Sequence, residues 1–98
     1  MAHTYILQSK SLNRFYIGAC HENLERRIEN HNSGKYGSQT YTSQANDWVL
    51  FLKFECDDYS HAVRLERKLK SMKSRIYIEN LARYSELREK VLNETSGT

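Results

Sequence analysis

Two short runs rich in aromatic and β-branched residues, His3 to Gln8 and Phe15 to Cys20, lie at the start of the chain, separated by the polar segment SKSLNR. Runs of this kind with a polar turn segment between them read as the two strands of a β-hairpin. Side chains alternate across a strand, so Tyr5 and Leu7 share one face of the first strand. Tyr16, Gly18 and Cys20 share one face of the second. A pair of tyrosines can therefore meet on one surface, depending on the register of the two strands.

The remainder fits one domain. With 98 residues, 39% hydrophobic and 28% charged, the chain can bury enough apolar surface to order itself as a soluble globular protein. No apolar run approaches the roughly 20 residues that cross a bilayer, and the start, MAHTYILQSK, lacks the apolar stretch of a secretion signal. A cytoplasmic protein without a membrane partner is expected. Cys20 and Cys56 lie 36 positions apart without metal-site spacing and read as buried small residues.

Leu24 and Ile28 mark a short helix from about Asn23 to Asn32, ended by Asn-Ser-Gly. Arg27 and His31, four apart, project from neighbouring turns of one face of it and can act on one phosphate. Residues 33 to 46 are polar and aperiodic, as in a long exposed loop. WVLFLKF, residues 48 to 54, is apolar on both faces for most of its length and reads as a third, central strand. After an Asp57-Asp58 start signal, Ala62, Leu65, Leu69 and Met72 form the inward stripe of a second helix. A shorter stretch with Ile76, Ile78 and Leu81 follows, and Ser85 is expected to cap a last helix carrying Leu87, Val91 and Leu92 before NETSGT frays.

Chemistry enters where this pattern is broken. Glu66 follows Leu65 on the inward stripe, which places a carboxylate at the margin of the core, where it needs a partner or a cation. Mg²⁺ satisfies that need, and so does an ion pair with Arg27 or another arginine at the helix edge. Tyrosines are common in strands, so Tyr5 and Tyr16 carry meaning only in company: a phenol becomes a general base where cations such as Arg27, His31 or a metal lower its pKa. Net charge is only +3, but from Tyr59 to Arg75 the bases Arg64, Arg67, Lys68, Lys70, Lys73 and Arg75 outnumber the single acid Glu66. That strip is either a solvated helix face or a grip on backbone phosphates.

Taken in order, YIL, FYIG, LERR with ENHNSG, and RLERKLKSMKSR resemble the GIY-YIG nuclease family in its small standalone bacterial members, and are similar to the excision-repair endonuclease catalytic domain. The resemblance runs from about residue 3 to residue 83. It implies an α/β fold of the α+β type, a three-stranded antiparallel sheet flanked by helices, with a nuclease domain over residues 1–84; the C-terminal helix and frayed tail expected over 85–98 lie outside it. It implies catalytic roles for Tyr5, Tyr16, Arg27 and His31, a structural role for Gly18, and a metal-binding role for Glu66. Two features depart from the family pattern. The first motif reads HTYI, with its tyrosine kept, and Ala19 stands where some members carry a lysine, a cation that Lys35 or another loop residue could supply. Arg26 competes with Arg27 for the catalytic place, and spacing to Leu24 and His31 favours Arg27.

The expected activity is hydrolysis of phosphodiester bonds in DNA, in repair or processing. Water deprotonated by Tyr5 with Tyr16 assisting would attack in line, with one Mg²⁺ or Mn²⁺ at Glu66. Lys35, Arg64, Arg67, Lys68, Lys70 and Lys73 would bind nucleic acid. The protein is expected to be a monomer or weak homodimer, with a partner protein a source of specificity. The rivals are a non-catalytic nucleic-acid-binding module of the same fold and a protein-interaction domain whose basic helix binds an acidic partner.

Overall fold

The hairpin forms as the alternation requires. In the computed structural model, which describes residues 2–21, 23–33 and 45–96, β1 (Ala2–Ser9) and β2 (Arg14–Cys20) pair antiparallel. The turn between them places Asn13 at a φ of 54°, a left-handed conformation that asparagine tolerates. Helix α1 (Leu24–Ser33) follows, then β3 (Val49–Cys56), α2 (Tyr59–Met72), α3 (Arg75–Arg83) and α4 (Ser85–Glu94). The result is the expected three-stranded antiparallel sheet with flanking helices.

The strand order is β2-β1-β3, so β1 is central and β3 lies at an edge, contrary to the expectation from its apolar composition. Val49 and Leu50 are 52% and 41% exposed, whereas Tyr5, Ile6 and Leu7 of β1 are fully buried. The polar residues of β1 disguised its position. Thr4 is buried because its hydroxyl donates to the Ala62 carbonyl at 2.6 Å, satisfying the side chain and tying α2 to the middle of the sheet.

Each sheet face has its own core. Tyr5, Leu7 and Cys20 pack with Leu24, Trp48 and half-buried Ile28 under α1. On the opposite face Ala2, Ile6 and Ile17 meet Ala62, Leu65, Leu69, Ile78, Leu81 and Val91 from α2, α3 and α4. Burying each large aliphatic side chain contributes about 1.5–3 kcal/mol. Both cysteines are buried and unbridged, as expected.

Helix α2 opens on Asp58, whose carboxylate accepts the His61 N–H at 2.8 Å, as the start signal predicts. It ends at Lys73, left-handed with a φ of 47°. Met72 is 39% exposed and so leaves the inward stripe, lining instead a surface hollow with Tyr77, Leu87 and Val91. Ser85 does not cap α4. The cap position is Tyr84, whose side chain makes no capping bond. The tail frays less than expected: Arg64 Nε donates to the Thr95 carbonyl at 2.8 Å, His61 Nε2 lies 3.0 Å from the Leu92 carbonyl, and Thr95 is buried. Among the described residues no helix is long and apolar enough to cross a membrane.

Candidate active site

The register of the hairpin builds the site. Tyr5 pairs with Gly18 and Leu7 with Tyr16, which sets both phenols on the α1 face of the sheet with ring centroids 6.4 Å apart. A Cβ on residue 18 would lie 2.6 Å from both Cζ and Oη of Tyr5 and 3.1 Å from Cε2 of Tyr16. Glycine at this position is therefore the space in which the first phenol rests.

Helix α1 delivers the other two groups. The side chain of Asn23 accepts the Arg26 N–H at 3.1 Å and closes the first turn. One helical turn separates Arg27 from His31. His31 Nε2 stands 3.0 Å from Tyr5 Oη, and the Tyr16 ring packs on the imidazole with centroids 4.9 Å apart. Arg27 acts on Tyr5 through its charge and a hydrogen bond, while Arg26 is exposed. The structure thus brings Arg27, and not Arg26, to the phenols.

Two residues that sequence reasoning missed hold this cluster from behind. The Asn32 side chain grips the Trp48 backbone twice, accepting its N–H at 2.7 Å and donating to its carbonyl at 2.8 Å. The Trp48 ring meets Tyr16 edge-on at 6.4 Å. The signal was an asparagine next to His31 that does more than stop a helix.

Electrostatics bear unevenly on the site groups. Burial pushes Tyr5 ionisation well above its ordinary range. The Arg27 cation pulls the other way without offsetting that burial. Tyr5 is also 0% exposed, so water does not touch it, whereas Tyr16 is half-buried and reaches the surface. Burial, then the Arg27 charge, pulls His31 down to about 4, leaving a neutral imidazole at pH 7. In either tautomer of that imidazole the Tyr5 hydroxyl keeps its proton.

On α2, Glu66 lies at the margin of the core as predicted, its side chain 20% exposed, and its partner is Lys70, with Nζ 2.8 Å from Oε2. A Glu-Lys pair at this spacing on a surface contributes only about 0.3–0.5 kcal/mol. A divalent cation or a phosphate can therefore separate the two cheaply. The basic strip divides into two flanks. Lys70 and Lys73 border a groove against β2, whereas Arg64 is engaged with Thr95 and Lys68 borders α4 beside Lys90 and Glu94. Arg67 is exposed between the flanks. Lys35 and most of the 33 to 46 segment lie outside the described residues.

The family model of the GIY-YIG catalytic domain matches residues 1–84. The chain belongs to the GIY-YIG family. No curated protein and no solved structure gives a match. GIY-YIG membership implies a nuclease-type activity on nucleic acid in general, and GIY-YIG nucleases generally use a divalent metal. Among the described residues no three His, Cys, Asp or Glu side chains gather as a cage for an ion. A weakly paired carboxylate such as Glu66 nevertheless suits Mg²⁺, which keeps several waters and is commonly held by one or two carboxylates together with substrate phosphates.

The depressed His31 has a consequence for this GIY-YIG domain that acid should reveal. Unfolded, the imidazole titrates near 6.5; folded, near 4. Between those values the unfolded chain binds more protons, so stability is full above pH 6.5 and is lost as pH falls toward 4, by roughly 3 kcal/mol at most. Thermal melts at pH 7 and pH 4.5 should show a smaller acid loss in His31→Gln than in the unaltered protein. Equal losses would contradict the assignment.

Proposed function

We propose that the protein is a metal-dependent endonuclease that hydrolyses phosphodiester bonds in DNA, in repair or processing. The observation that carries this reading is the packed group of Tyr5, Tyr16, His31 and Arg27 around Gly18, since no purely structural need calls for two phenols, an imidazole and a guanidinium in one pocket.

Tyr16 is the phenol that meets the solvent, and its oxygen in ionised form takes the proton of the attacking water. The water oxygen bonds to phosphorus in line with the departing 3′ oxygen, leaving a 5′-phosphate and a 3′-hydroxyl that is protonated from solvent. Arg27 offers fixed donors and a positive charge to the phosphorane oxygens. His31, neutral and packed between the two phenols, holds Tyr16 in place from below, and Tyr5 fixes the imidazole from the strand side. Glu66 would hold one Mg²⁺ or Mn²⁺, which when bound supplies neutralisation of the charge that builds on the leaving oxygen. Lys70, released from that carboxylate, is then available to a phosphate.

Purified protein incubated with single-stranded, duplex, flap and branched oligonucleotides, in Mg²⁺, Mn²⁺ or chelator, tests the reading. Metal-dependent cleavage is expected, falling in Glu66→Gln by at least the roughly 10–100-fold that even outer-shell partners of a metal cost. Binding without cleavage under every condition would instead establish the non-catalytic module.

A further inference from the structure

Beside Tyr16 the molecule carries a groove of about 390 Å³. The β2 residues Phe15, Tyr16 and Ile17 form one wall, Leu69 and Ile78 the apolar floor, and Lys70 and Lys73 the rim on α2. Its volume falls in the range of small-ligand sites, about 300–1,000 Å³. We propose that this groove receives one nucleobase turned out of the stack next to the scissile phosphate, so that the enzyme prefers unpaired or frayed strands over intact duplex. This deepens the nuclease reading and rests on it for the identity of the substrate.

Three features converge on that occupant. First, the groove shares Tyr16 with the reaction pocket, and its rim includes Lys70, the partner of Glu66, so whatever fills it touches Tyr16 and lies beside the Glu66–Lys70 pair. Secondly, apolar walls beneath two ammonium groups match a nucleotide, whose base is flat and weakly polar and whose phosphate is anionic. Phe15 is braced for a stacking role: Phe51 meets it edge-on at 4.8 Å and the Arg75 guanidinium lies 5.1 Å from its ring centre. Thirdly, β2 pairs only with β1 among the described residues, and its other edge faces the groove. Alternate residues of an edge strand direct N–H and C=O groups outward, and a base edge can bond to them where an aliphatic ligand cannot.

Arg75 also braces the strand that forms the wall. Its Nη1 donates to the Asn13 carbonyl at 2.8 Å and Nη2 to Asn13 Oδ1 at 2.6 Å, joining the start of α3 to the hairpin turn. The hairpin turn that precedes Phe15 is thereby tied to α3, the helix that supplies Ile78 to the groove.

The test measures binding in chelator, where cleavage is silent. Affinity is read for a short single strand and for the same strand in a duplex, with 2-aminopurine as a fluorescent base. The expected result is at least about fivefold tighter binding of the single strand, with a change in 2-aminopurine fluorescence on binding. Phe15→Ala should abolish the preference. Lys73→Asn, which keeps a residue that accepts the left-handed backbone, should weaken both forms and lower the salt dependence. Equal affinity for the two forms together with unchanged fluorescence overturns the proposal, and these readouts need no variant to fold. Concentration-dependent dimers lost in Phe15→Ala would assign the groove to a second copy and likewise overturn it. Failure of every oligonucleotide to be cut in metal would reject the nuclease reading instead, which the binding measurement distinguishes.

Discussion

Gly18→Ala is expected to lose activity and stability together. The added methyl would meet Cζ and Oη of Tyr5 at 2.6 Å, and neither atom can retreat. The ring is fully buried in the central strand, and its hydroxyl is held by His31 at 3.0 Å. Overpacking of this kind costs about 1–3 kcal/mol. For a chain of this size each kcal/mol lowers Tm by about 4–8 °C. Any relief must come from shifting Tyr5, which shifts His31 and with it Tyr16, and a displacement of about 1 Å at a reacting group can cost about 100-fold in rate. Thermal melting and oligonucleotide cleavage of this single variant should both change. A variant with the melting temperature and rate of the unaltered protein would mean that the phenol does not rest over this glycine.

Tyr16→Phe should leave the fold intact and remove catalysis. The ring would still pack on His31 and Trp48, because those contacts use its faces and edge and not its oxygen. Loss of a positioned proton acceptor lowers rates by about 10²–10⁴. If a phenolate accepts the proton, cleavage by the unaltered protein also climbs between about pH 6 and pH 9, and Tyr16→Phe loses that climb along with the rate. The contrast is with Tyr5→Phe, which sacrifices the bond to His31 but not a group in contact with water. Should Tyr5→Phe remove the pH dependence while Tyr16→Phe keeps it, the two phenols exchange roles.

The parts of the fold visible in the sequence were those governed by local periodicity. The hairpin, the faces of its strands, the Arg27–His31 spacing on α1 and the Asp58 start of α2 all follow from side-chain direction or from a capping side chain. Strand order was not local. β3 looked central because its residues are apolar, yet Val49 and Leu50 face solvent, while the central strand hides Thr4 behind a hydrogen bond to a helix carbonyl. Which cation faces Glu66 was equally out of reach: Lys70 pairs with it along the same helix, and no arginine is needed. The membership of the pocket could be anticipated from the order of its motifs. The ionisation of Tyr5 could not, because it is decided by how completely β1 is covered, a property of the whole sheet.

The last helix bears on where this molecule can be divided. Likeness to the GIY-YIG domain ends at residue 84, but Val91 lies in the same core as Leu65, and α2 holds the far end of α4 through Arg64 and His61. Those anchors sit on the helix that presents Glu66, two and five residues before it. Residues 85–96 thus brace the helix that carries Glu66 from the side away from the sheet, so a cut at residue 84 would strip α2 of contacts that the matched segment cannot replace.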